Sequence, residues 1–174
     1  RYYALVFRAV AAGLAGDHDA EFDLAERARD ENPMGSGEWL FPAGEAAIWM
    51  RDARRLGEVR EALTARGPLG RMYRVWDLEL AAAEDALEGR IEEAAAGFEQ
   101  ARGRWEELGL KLHVAQNRIH FTLLCPDSPE AAPAADEARR LLEQMGAPNL
   151  LAQLDQAIGT TAPAGRVALP GHHS

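Results

Sequence analysis

Cysteine is nearly absent: Cys125 stands alone in 174 residues. One thiol closes no internal disulfide and builds no multi-thiolate zinc site, so Cys125 reads as a small buried hydrophobe at a helix end. Long apolar runs are missing as well, and none approaches the ~20 residues that a helix needs to span a bilayer. No secretory signal is visible, and a cytoplasmic location is expected. The chain opens at Arg1 inside a helical pattern, so it is expected to be a piece of a longer protein. Positive charge is scarce, with 19 Lys and Arg against 28 Asp and Glu, a formal net charge of -9. Such a surface repels phosphate backbones and anionic lipid, so neither nucleic acid nor membrane is an expected partner. No Gly-x-x-x-x-Gly-Lys-Ser/Thr loop is present to cradle a nucleotide phosphate. Sustained strand alternation and Asn-Gly hairpins are also absent, which excludes a sheet-based fold.

Helical periodicity is what remains, and it runs through a chain long enough for one domain with a sizeable core. Tyr3, Val6, Phe7, Val10 and Leu14 form an apolar stripe that breaks at Gly16-Asp17. Phe22, Leu24, Ala25 and Ala28 carry a more polar helix ending near Asn32-Pro33. A Gly-rich loop from Met34 to Phe41 follows, in which Trp39 either staples the next helix or stays exposed. Pro42 suits the first turn of that helix, which buries Ala46 to Met50 and is expected to stop at Gly57. Val59 to Leu63 makes a short helix closed by Gly67-Pro68, and Met72 to Ala83 a long one stopped by Gly89. Ile91 to Leu108, Leu112 to Leu124, Ala138 to Met145 and Leu150 to Ile158 complete the set, with Pro133 in a first turn. Breakers thus delimit about eight or nine helices. The short connections favour antiparallel neighbours. Residues 1–158 are expected to form one helical-repeat domain, and the Thr, Ala, Pro and Gly of 159–174 an extended or mobile tail.

The stretch from Gly89 to Ala101 holds Ala94, Phe98 and Ala101 at helical spacing, with small residues that admit a neighbouring backbone and one ring that fills the gap. Looser echoes occur at Ala138-Leu142-Met145 and Glu21-Ala25-Ala28. The unit resembles the second helix of a tetratricopeptide repeat. It departs from that pattern in having Glu106-Glu107-Leu108-Gly109 where a Pro would close the repeat, and its spacings exceed a strict 34-residue period. The expected fold is all-α, with antiparallel helix pairs stacked as an irregular tetratricopeptide-like right-handed solenoid, a plain helical bundle being the simpler alternative.

A wider resemblance rests on Gly89-Arg90-Ile91-Glu92-Glu93-Ala94, Phe98-Glu99-Gln100-Ala101, Trp105-Glu106-Glu107-Leu108-Gly109, Ala138 to Pro148, and Gly44-Glu45-Ala46-Ala47-Ile48-Trp49. Together these are similar to the C-terminal helical-repeat region of large bacterial signalling proteins. Those proteins carry a predicted ATPase module, and they include adenylate/guanylate cyclases of this layout and LuxR-type transcriptional regulators. The resemblance implies a role in protein interaction or sensing.

No residue set for catalysis stands out. Asp and Glu fall on amphipathic faces and read as solvated surface, and no serine or Cys125 has an activating partner in sequence. His113, Asn117 and His120 share one helix stripe, but seven residues place the two histidines about 10 Å apart along the axis, too far to hold one metal directly. No metal role is assigned to them or to His172 and His173, and no cofactor is expected. Trp49, Trp76 and Trp105 read as core. Tyr73, Trp76, His113, Asn117 and His120 are the candidates to line a groove. The expected function is therefore a non-catalytic interaction or sensor domain, bound by a protein partner or by neighbouring domains of the parent chain. The alternative is a structural spacer or a dimerisation module without a ligand.

Overall fold

The computed structural model describes residues 1–33, 37–67 and 70–161. These form nine helices and no strand: α1 (Tyr2–Leu14), α2 (His18–Glu31), α3 (Leu40–Trp49), α4 (Ala53–Ala65), α5 (Arg71–Leu87), α6 (Ile91–Glu107), α7 (Lys111–Leu124), α8 (Ala131–Met145) and α9 (Pro148–Thr161). None of them is long and apolar enough to cross a membrane. The helix starts are local chemistry. Asp17 accepts from Ala20 N at 3.1 Å and Asp52 from Arg55 N at 3.0 Å, each satisfying an amide that the first turn leaves without a partner. Pro133 sits in the first turn of α8, where its missing N–H costs nothing, and Gly146 ends that helix at φ 64°.

The helices sort into two sets. The odd-numbered ones pack on each other, with α1 against α3 and α9, α3 against α7, and α7 against α5 and α9. The even-numbered ones pack chiefly against their two neighbours in sequence. Helix α7 is at the centre, and ten of its fourteen residues are buried, Asn117, Arg118 and His120 among them. A helix enclosed on several sides cannot keep a polar face, so each of those side chains must find a partner inside.

The Ala94-Phe98-Ala101 unit packs as its spacing predicts. All three residues and Trp105 are sealed from solvent, and Phe98 meets the Phe121 ring edge-on with centroids 5.7 Å apart. Helices α5 and α6 touch at Gly97, where an added Cβ would lie 2.8 Å from that of Ala82.

Three expectations change. The α1 stripe is not the buried face: Tyr3, Phe7, Val10 and Leu14 are exposed, whereas Tyr2, Leu5, Val6, Ala9 and Gly13 are buried. An all-round apolar helix offers two stripes, and packing selects the one whose small residues admit a neighbour. The third helix stops at Trp49, not at Gly57, which lies within α4. Arg51 turns the chain at φ 52°, and its Nη2 ties the turn to the Leu123 carbonyl at 3.0 Å. Helix α9 continues through Gly159 to Thr161, and the remaining residues of the expected tail, His172 and His173 included, lie outside the described residues. Trp39 packs inside the fold at the start of α3, with the Arg29 and Arg66 guanidinium groups near its ring.

Candidate functional site

The packing of α1, α3, α7 and α9 leaves a recess of about 150 Å³ between them. Helix α1 supplies Val10, Gly13 and Leu14 to its wall, α3 supplies Phe41, Glu45 and Trp49, and α9 supplies Leu150 and Gln153. His18 and Glu21 enter from α2, and His113 and Gln116 from α7. No Lys or Arg lines it.

Behind the recess lies a buried polar chain. His120, fully enclosed, contacts Oε1 of Glu79 through Nδ1 at 2.7 Å and Oε2 of Glu45 through Nε2 at 2.9 Å. The other Glu79 oxygen accepts the Trp105 indole N–H at 2.7 Å. Burial alone would push the His120 imidazole down. The Glu45 charge, with the hydrogen bonds to Glu45 and Glu79, outweighs that and carries it up to about 10. His120 is therefore an imidazolium with both N–H groups donated to carboxylates, and it is not poised to move a proton near neutrality. Among the described residues no group of three or more His, Cys, Asp or Glu side chains is arranged to hold a metal ion.

The front of the recess is different. Glu21 is buried, and its Oε2 meets His18 Nδ1 at 2.9 Å. Burial pushes its carboxyl up, the His18 hydrogen bond pulls it down and the nearby Glu45 charge raises it again, for a net value of about 7. Gly13 makes this placement possible, because a Cβ there would collide with the Glu21 carboxyl. The His18 ring stacks on Trp49 with centroids 5.1 Å apart and planes 3° from parallel. Its Nε2 is buried without a hydrogen-bond partner, as is Nδ1 of His113. Burial holds the His113 imidazole below its usual range, against the opposing charges of Glu45 and Glu79.

The five groove candidates are thus dispersed. His113 lines the recess, half-buried between the rings of Trp105 and Phe41. Tyr73 is half-buried against Phe41. Trp76 and His120 belong to the interior beside it, with ring centroids 6.2 Å apart. Asn117 faces another way, and its Oδ1 accepts the Arg118 guanidinium at 2.6 Å. The recess is built instead around Glu21, Glu45 and His18, with Glu79 behind, whose carboxylates read as solvated surface in the sequence. The overlooked signal is positional: Glu79 falls within the apolar stripe of Trp76, Leu80 and Ala83, and Glu45 within that of Phe41, Ile48 and Trp49. Cys125 is buried at the end of α7, and burial pushes its thiol up to about 11.

No family model matches the chain, and no curated protein or solved structure is significantly similar to it.

Proposed function

We propose that this chain is a non-catalytic helical-repeat interaction or sensor domain of a larger bacterial signal-transduction protein. An adenylate/guanylate cyclase or an ATPase-containing regulator is the parent layout that its sequence resembles. In this reading the helices pair antiparallel and stack as an irregular tetratricopeptide-like right-handed solenoid. The odd-numbered helices form its inner layer. A ligand or partner held by that layer would bias the parent between two states through differential affinity.

One observation carries the reading: the recess is walled by five helices from both halves of the chain, and two of its lining residues, His18 and His113, each keep a buried ring nitrogen without a partner. A ligand in the recess would bridge helices from the first and last parts of the described chain, so its binding would depend on how they are placed relative to one another. His120 is clamped on both nitrogens and the Cys125 thiol is held protonated, so neither is free to act as a base or nucleophile.

The alternative, a spacer or dimerisation module, has an observation of its own in the exposed stripe of Tyr3, Phe7, Val10 and Leu14. A thermal-shift screen of small ions, neutral compounds and short peptides separates the two. A binder whose shift disappears in Trp49→Ala or His113→Ala, with circular dichroism unchanged, supports the sensor reading. A flat screen combined with a dimer in light scattering that Phe7→Glu dissociates transfers the conclusion to the dimerisation module.

A further inference from the structure

We propose that the recess between α1, α3, α7 and α9 binds one small alkyl ammonium or alkyl guanidinium group, so that the ligand of the sensor reading is a cation. The inference rests on that reading for its biological meaning, but its chemistry stands on the recess alone.

Size comes first. A cavity near 150 Å³ has room for one benzene-sized group, which suits the end of a single Lys- or Arg-like chain. Sign comes second. Glu21 and Glu45 line the wall, Glu79 stands behind Glu45 across the His120 ring, and the lining contains no Lys or Arg. The buried cation behind the recess, His120, is already shared by two carboxylates and has no N–H left to offer an anion.

The fold also leaves one polar side chain of the wall incomplete. His18 is 10% exposed, its Nδ1 is engaged by Glu21, and its Nε2 has no partner. When Glu21 is ionised, His18 donates to it from Nδ1, which leaves the buried Nε2 as an acceptor without a partner. The wall of the recess therefore holds a carboxylate beside a buried, unpartnered imidazole acceptor, both of which a donor-rich cation would satisfy. A guanidinium offers five N–H donors and an ammonium three. The Trp49 and Phe41 rings flank the site, and aromatic faces attract cations. Gly13 is the constructive detail, since it is the absence of its side chain that lets the Glu21 carboxyl stand in the wall.

Charged and titratable groups face Glu21 from α2 (His18), α3 (Glu45) and α7 (His113, His120). Helices α1 and α9 contribute Val10, Gly13, Leu14, Leu150 and Gln153, which do not titrate. Glu21 must ionise to accept a cation, and its carboxyl is held near 7. Binding should therefore tighten between pH 5.5 and pH 8, by about tenfold or more. Protonation of His113 at low pH acts in the same direction.

The test is calorimetric titration of the full chain with agmatine, n-butylammonium and an acetylated Arg-containing tripeptide amide, alongside butyramide and butyrate. The expected result is saturable binding of the cations only. It weakens at least tenfold in Glu21→Gln and in Val10→Trp, a rim variant that leaves the Glu45–His120–Glu79 chain in place. Tighter binding of the free amines identifies a small metabolite, and tighter binding of the tripeptide identifies a peptide side chain. Three results overturn the proposal: butyramide or butyrate binding as well as the cations, cation binding undiminished in both variants, or no cation heat at millimolar concentration. Recess binding of a neutral or anionic compound sinks the cation and leaves the sensor reading standing. Cation binding that leaves the parent's output unchanged does the reverse.

Discussion

His120 donates from Nδ1 to Oε1 of Glu79 over 2.7 Å, in a place where both residues are cut off from solvent. The pair joins α5 to α7, and through Glu45 it reaches α3, three helices that the chain visits far apart. A buried ion pair of this kind adds little net stability over an apolar replacement, because desolvation offsets most of the attraction. Losing one partner is another matter, since the remaining charge stays buried.

Glu79→Leu should therefore cost about 3–5 kcal/mol, measured by urea denaturation, because it strands both the His120 N–H and the Trp105 indole N–H. Adding His120→Leu should recover a large part of that loss, and a double variant no more stable than the single one would count against a charge-driven effect.

Stability should fall as pH rises from 5 to 10. The Glu21 carboxyl moves from 4.5 to about 7 on folding, so protons favour the folded state. Its contribution is full below 4.5 and is lost as pH rises through 7, a change of about 3 kcal/mol. The raised His120 value acts alike, full below 6.5 and lost as pH rises through about 10. Glu21→Gln should flatten the curve between pH 5 and 7 and add about 1–3 kcal/mol at pH 8. Chemical denaturation at five pH values checks both statements.

Gly97→Ala tests the close approach of α5 and α6. The new methyl would sit 2.8 Å from Ala82 Cβ, and overpacking of this kind costs about 1–3 kcal/mol despite the better helix propensity of Ala. Combining it with Ala82→Gly should relieve the clash, and thermal melts of the four proteins in the cycle report the coupling directly.

Phe98→Ala should cost about 3–5 kcal/mol, since the ring fills the space between α6 and Phe121 of α7 with no solvent exposure. A loss under about 1 kcal/mol in urea denaturation would show that the neighbouring helices collapse onto the site.

Cys125 should react slowly with a thiol reagent in the native protein and at full rate in denaturant, because burial both shields the sulfur and disfavours the thiolate. Colour development with a disulfide reagent at pH 8 measures the ratio.

Helix content, most boundaries and the Ala94-Phe98-Ala101 contact were legible because they depend on neighbours three and four residues away. Gly89, Gly109 and Gly146 end or follow helices at positive φ, where glycine is the favoured residue. The errors fall where a distant partner decides. Gly57 looked like a stop, but the stop is made at Arg51, whose side chain is tied to Leu123 across 72 residues. The α1 stripe of Tyr3, Phe7, Val10 and Leu14 is apolar but stays exposed, and the interior takes the face with Ala9 and Gly13, which accept a close neighbour.

Composition and periodicity alone determined that this chain is acidic and all-helical with a single cysteine. Both properties are sums over local terms: charge counted residue by residue, and apolar spacing read within a few turns. The candidate site was decided by tertiary structure. Glu21, Glu45 and Glu79 carry the same carboxyl as a surface Glu, and only the meeting of α2, α3, α5 and α7 withdraws them from water and brings His18 and His120 within hydrogen-bond reach. Burial depends on which helices meet, and so does every shift of charge that follows from it.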